Sequence, residues 1–117
     1  MPVNDDLRPP LQTRLKRHTF EVLLRELGRA VVTLECDGCV LPTGIANDEG
    51  IAALDIWPTA PTRISDLVVD ANGFSGTLSF NRTGFHCLVP WERVISVADY
   101  EGTFGYVSRF EMSNLLT

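Results

Sequence analysis

Apolar positions recur along this chain with two different periods, and the change falls at Gly28. From Leu11 to Leu27 the spacing is helical. Phe20, Leu23, Leu24 and Leu27 stand at i, i+3, i+4 and i+7, and Leu11 and Leu15 carry the stripe toward the N-terminus. Pro9 and Pro10 come just before it. Proline is accepted in a first helical turn because its missing N–H has no partner there. Gly28 is a stop signal, and Arg25 and Arg29 sit where the negative end of the helix dipole favours cations. The pattern predicts a helix over 11–28.

Beyond Gly28 the period is two. Ala30 to Cys36 reads as a first strand, and Asp37-Gly38 as a turn. Val40-Leu41-Pro42 is extended, since a residue before proline is pushed out of the α region. A polar loop runs from Thr43 to Gly50. Ile51 to Trp57 forms a second strand, ended by Pro58 and Pro61, and Ile64 to Asp70 a third. Asn72-Gly73 is a hairpin turn. The fourth strand, Gly76 to Asn81, sets Gly76, Leu78 and Phe80 on one face and Thr77, Ser79 and Asn81 on the other. Arg82-Thr83-Gly84 turns into a fifth strand, Phe85 to Val89. Pro90 to Val94 fits one helical turn, and Ile95 to Val97 a short sixth strand. No element is assigned from Asp99 onward.

One helix followed by five or six short antiparallel strands gives a mainly β fold class, a small bent barrel or sandwich with an N-terminal helix. The organisation is a lead-in over 1–10, one domain over 11–110 with its barrel over 30–98, and a tail over 111–117. A sheet this small has edges that must be blunted or must pair with something.

Composition narrows the class. With 117 residues, the chain is one domain, and 44% hydrophobic residues support a core and exclude wholesale disorder. No apolar run nears the roughly 18 residues of a membrane span. The acidic, proline-bearing start from Met1 to Leu7 does not read as a signal peptide, and three cysteines do not make a disulfide scaffold. The expected compartment is a reducing cytoplasm, with no membrane partner. Net charge is −5 and uneven: residues 1–29 carry six basic and four acidic groups, whereas the rest carries four basic and eleven acidic ones. That acidic body repels phosphate backbones and argues against nucleic acid as a partner.

Candidate chemistry is sparse. Cys36-Asp37-Gly38-Cys39, with His86-Cys87 further on, offers soft ligands of the zinc type. But His86 and Cys87 are neighbours in a strand and point to opposite faces, and no second spaced pair exists. The cysteine pair does not open a helix after a strand, as redox motifs do. His18 lies in a basic helical run beside Lys16 and Arg17 and is expected in solvent. No nucleophile elbow accompanies His86. Asp48, Glu49, Asp55, Asp66 and Asp70 lack the spacing of a metal loop. Gly73, Gly76 and Gly84 punctuate hairpins and make no phosphate cradle. No catalytic residue, metal or cofactor is expected, and the chain does not read as an enzyme. The aromatic set Trp57, Phe74, Phe80, Phe85 and Trp91 is core material by default. Part of it fits a groove that receives a peptide by strand addition.

The order of residues from Ile64 onward resembles one family. Asp66-Leu67-Val68-Val69-Asp70, then Asn72-Gly73-Phe74-Ser75-Gly76-Thr77-Leu78-Ser79-Phe80, then Leu88-Val89-Pro90-Trp91, Val94 and Val97, is similar to the sheet of stringent starvation protein B, SspB, the bacterial adaptor family of the ClpXP protease. Val31 to Leu34, Val40 with Pro42, and Ile51 to Ile56 resemble its opening strands, and Leu11 to Leu27 stands where that family has its dimer-forming helix. The resemblance implies an Sm-like helix-plus-barrel fold and a homodimer through the helix, with Leu15, Phe20, Leu23, Leu24 and Leu27 at the contact. It further implies a groove for the ssrA degradation tag and delivery of tagged proteins to the ClpX unfoldase, with no covalent chemistry. The groove residues it suggests are Val40, Leu41 and Pro42, then Thr77, Leu78, Ser79, Phe80 and Asn81, with Val89 and Trp91. Two features depart from the family pattern: the Cys36–Cys39 stretch, and the ending Ser113-Asn114-Leu115-Leu116-Thr117, which has no acidic or proline-rich linker. The alternative reading is a small Sm-like barrel module that binds nucleic acid or another peptide partner, motivated by Arg14, Lys16, Arg17, Arg25 and Arg29.

Overall fold

A computed structural model describes residues 11–58 and 64–107. The helical stripe becomes helix α1, Leu11–Leu27. Gly28 ends it with φ at +72°, and its N–H donates to the carbonyls of Leu23 and Leu24 at 3.1 and 3.0 Å. A left-handed residue closes the last turn in this way, and glycine adopts that conformation without a Cβ penalty.

Among the described residues, seven strands and one 3-10 turn follow. They are β1 (Ala30–Glu35), β2 (Ile51–Ile56), β3 (Val68–Val69), β4 (Gly73–Phe80), β5 (Thr83–Pro90), the 3-10 turn Trp91–Arg93, β6 (Val94–Ala98) and β7 (Gly105–Val107). They form two antiparallel sheets, one in the order β2-β1-β6-β7 and the other β3-β4-β5. A mainly β fold with an N-terminal helix is thus what the chain adopts. Alternation places Ala30, Val32 and Leu34 of β1 and Ala52, Leu54 and Ile56 of β2 inward. Phe74, Leu78, Cys87 and Val89 come in from the second sheet, and Phe20 and Leu23 from α1. At the centre Phe20 stacks on Phe74 with ring centroids 4.8 Å apart, and Trp91 meets both rings at 5.6 and 5.5 Å. These separations are those at which aromatic pairs attract beyond simple burial.

The boundaries differ from the sequence reading in instructive places. The third strand shrinks to two residues. Asp66, just before it, reaches β4 by its side chain, accepting from the Thr77 N–H at 2.8 Å, where a ladder bond would otherwise run. Gly73 lies inside β4, not in a turn. Asp70 makes the turn, its Oδ1 accepting from the N–H groups of Asn72 and Gly73 at 2.8 and 3.1 Å. Gly73 is required because any side chain there would collide with the Val89 carbonyl. The β4–β5 hairpin turns on Asn81-Arg82, with φ at 51° and 68°, the two-residue geometry whose twist matches a hairpin, so β5 begins at Thr83. β7 was not anticipated. It is folded back by Asp99, whose carboxylate accepts from the N–H groups of Thr103 and Phe104 at 2.7 and 3.0 Å and from the Thr103 hydroxyl at 2.6 Å. The lead-in over 1–10 and the tail over 111–117 lie outside the described residues. Among the described residues, no helix is long and apolar enough to cross a membrane.

Candidate functional site

Among the described residues two strand edges stay open, and they face each other. In an antiparallel strand the N–H and C=O of one residue point to the same side, and neighbours alternate. In β2, Ile51 directs both groups away from β1: its N–H donates to Asn47 Oδ1 and its carbonyl accepts from the Asn47 N–H. Ala53 and Asp55 therefore also point away from β1, and β2 is the last strand of its sheet. In β4, Thr77 directs its N–H away from β5 to Asp66, so Ser79 points outward too. β3 pairs only with Phe74 and Ser75, and among the described residues no strand pairs with β4 at Ser79 on that side.

Between these edges lies a groove of about 480 Å³. Ala53, Leu54, Asp55 and Trp57 form one wall, and Thr77, Leu78, Ser79 and Phe80 the other, with Ile64 and Gly84 at its ends. Its size falls in the range of clefts that hold small ligands and short peptides, about 300–1,000 Å³. Leu54 and Leu78 are buried at its base, while Ala53, Asp55, Thr77 and Ser79 are exposed along it.

Charge around the groove is organised. Arg29 grips Asp55 with two bonds, Nε to Oδ1 at 2.9 Å and Nη2 to Oδ2 at 2.6 Å. Its guanidinium lies 4.3 Å from the Trp57 ring centre and 3.8 Å from that of Tyr100. The fork and both ring faces are used at once, which suits arginine and not lysine. The hydrogen bond to Asp55 raises the Arg29 pKa, and the guanidinium packs on Trp57 at the groove wall. On the opposite wall, bonds from the Thr77 N–H and hydroxyl, then the nearby His86, hold the Asp66 carboxyl below its ordinary value. His86 Nδ1 is 3.3 Å from Asp66 Oδ2.

The expected groove residues separate into four places. Thr77, Leu78, Ser79 and Phe80 line the groove together. Val40 bridges to Leu88 on the far edge of the β3-β4-β5 sheet, so Val40, Leu41 and Pro42 do not join them. Asn81 sits in the exposed turn. Val89 and Trp91 are wholly buried; the Trp91 indole N–H donates to the Asp70 carbonyl at 2.8 Å, and its ring is core, not groove lining. Among the residues expected at a dimer contact, Phe20 and Leu23 instead fill the core of their own chain, and Leu24 packs against it. Leu15 and Leu27 are exposed, as is Leu11. The sequence does not mark Ala53, Leu54, Asp55, Ile64 or Gly84 as groove residues. The alternation of Ile51 to Ile56 marks Ala53 and Asp55 as outward residues, but only the sheet order makes β2 an edge.

The remaining candidates have settled environments. Cys36 and Cys39 are half-buried and Cys87 is buried. Burial raises all three thiols, Cys39 to about 11, which keeps them protonated and poor as nucleophiles at neutral pH. Among the described residues, no three His, Cys, Asp or Glu side chains come together as a metal site. His18 is exposed beside Arg14 and Arg17 at a shallow cleft on α1. Compared with known proteins, the chain matches no protein-family model, and no curated protein is similar to it at a significant level. The resemblance to stringent starvation protein B gains no support from those comparisons.

Proposed function

We propose that this protein is a peptide-binding adaptor. It holds an extended degradation tag of the ssrA type in the groove between β2 and β4 and delivers the tagged protein to the ClpXP protease. The observation that carries the reading is the groove itself, with an apolar base and two strands whose outward main-chain groups face it. Such a site binds through backbone hydrogen bonds and selects through side-chain pockets, and it needs no catalytic residue. The tag and the protease come from the residue order that resembles the adaptor family. Tethering a substrate raises its concentration at an unfoldase without any new chemistry.

The decisive experiment is a titration of labelled ssrA-tag peptide followed by fluorescence anisotropy. Saturation at or below tens of micromolar is expected, and a flat curve at that concentration removes the tag. A binding curve that collapses steeply with salt would favour the basic cleft of α1 and a nucleic-acid-like partner instead. The adaptor works as a homodimer in this reading. With Phe20 and Leu23 in the core, the dimer contact falls to the exposed leucines of α1. Sedimentation equilibrium should give about twice the mass of 13.0 kDa, and Leu15→Glu should give monomer with unchanged circular dichroism. A variant that stays dimeric rejects the helix as the contact.

A further inference from the structure

We infer that the groove is a strand position, open among the described residues, and that its occupant binds as an added strand pairing with β2 on one side and β4 on the other. This rests on the peptide-binding reading and specifies how the peptide sits. The outward main-chain groups of Ala53 and Asp55 line one wall and those of Ser79 the other. A strand between them joins the two sheets into one continuous run, β7-β6-β1-β2-occupant-β4-β5. Its two sets of alternate N–H and C=O groups serve the two walls in turn.

The register has a defined start. Asp66 already accepts from the Thr77 N–H and so occupies the place of a strand carbonyl there. Pairing on β4 therefore runs from the Thr77 carbonyl through Ser79, opposite Ala53 to Asp55 on β2. That is a paired core of about three residues, at roughly 3.4 Å each.

The same geometry names the chemistry of the occupant. Alternate side chains turn toward Leu54, Leu78 and Phe80, where small apolar residues fit, and the others turn to solvent beside Thr77 and Ser79. Charge complementarity sets the middle of the peptide. Asp55 is already matched by Arg29, so among the described residues that line the groove no charge is left unmatched, which favours uncharged residues in the middle of the peptide. The occupant is an extended peptide that alternates small apolar and uncharged polar residues.

The test uses a capped seven-residue peptide alternating valine and serine, so that it does not depend on the ssrA tag. Titrated to millimolar concentration, it should shift the amide signals of Ala53, Asp55 and Ser79 and slow their hydrogen exchange. Proline at an outward edge position removes one donor and spares the existing ladder. Ala53→Pro and Ser79→Pro should each weaken binding about tenfold, the cost of roughly one hydrogen bond. The exchange measurement in the unaltered protein stands by itself if either variant fails to fold. No shift at millimolar peptide, or shifts confined to Val68 and Leu88 on the outer face of the other sheet, overturns the inference. Loss in only one proline variant overturns the bridging position, because the peptide then pairs with a single strand. If this peptide binds and the tag does not, the adaptor reading fails and the strand position stands; if the tag binds and both proline variants bind it normally, the reverse holds.

Discussion

The two junctions between the sheets are treated in opposite ways. At one, the Phe20, Phe74 and Trp91 rings close the space, and buried polar atoms find partners far away in sequence. The indole N–H reaches Asp70, and the ammonium of Lys16, itself buried, donates to the Trp91 carbonyl at 3.0 Å. At the other, β2 and β4 keep outward main-chain groups facing a groove. Exposed strand edges are a hazard that folded proteins usually cover. Neither β2 nor β4 pairs across the groove among the described residues, so the packed contacts that join the two sheets lie at the closed junction. Stability and binding are therefore expected to separate along this line, and substitutions on the two sides should act on different measurements.

Trp91→Ala gives the largest effect. The side chain is wholly buried, stacks with two other rings and anchors the β3–β4 turn through Asp70. Truncating a buried aromatic costs about 3–5 kcal/mol, a large share of a small domain's stability. Urea unfolding should show the midpoint falling by that equivalent, or the variant should not fold. Loss of peptide binding in Trp91→Ala then reports a lost fold and not a lost contact. A variant with wild-type stability and weakened binding would return Trp91 to the groove.

How much of this was legible in the sequence depends on which interaction decides each feature. Helix α1 and strands β1 and β2 follow from local periodicity with bounds close to those read from the chain, and β4 follows from it too but starts three residues earlier, at Gly73. Gly73 and Gly84 were misplaced because both carry a signal for turns, whereas what each supplies is room: for the Val89 carbonyl beside Gly73 and for the Thr77 methyl beside Gly84. Asn81 and Arg82 form the turn although arginine is no turn signal. β7 depends on the Asp99 carboxylate gathering the 99–104 loop, a set of side-chain bonds that no periodicity reveals. On the groove, Thr77 to Phe80 were legible from alternation in one strand. Its other wall was not, because strand order, and not residue type, makes β2 an edge. The helical stripe that holds Phe20 and Leu23 fits two uses, packing on the chain's own sheet or pairing with a second copy. Their burial beside Phe74 and Trp91 decides between the two.

Lys16 is the smaller and sharper probe of the closed junction. A lysine in the middle of an apolar helix face is expected to reach solvent, yet its ammonium lies under the 3-10 turn. Burial lowers its pKa below 10.5, and the charges of Glu35 and Glu92 only partly counter this. The folded state then binds fewer protons than the unfolded one between that lowered value and 10.5. Linkage makes stability rise with pH across this window, with no further change below it. Lys16→Met keeps the apolar stem and removes the charge, while the Trp91 carbonyl still accepts from the Val94 N–H. Its cost should stay within about 1.5 kcal/mol, and the alkaline rise seen in the unaltered protein should be missing from the difference between the two. Urea midpoints of both proteins at stepped pH measure this directly. Equal slopes in that window would mean that Lys16 is charged and solvated in the folded protein. Peptide affinity should be the same in both, because the groove lies on the other side of the comparison.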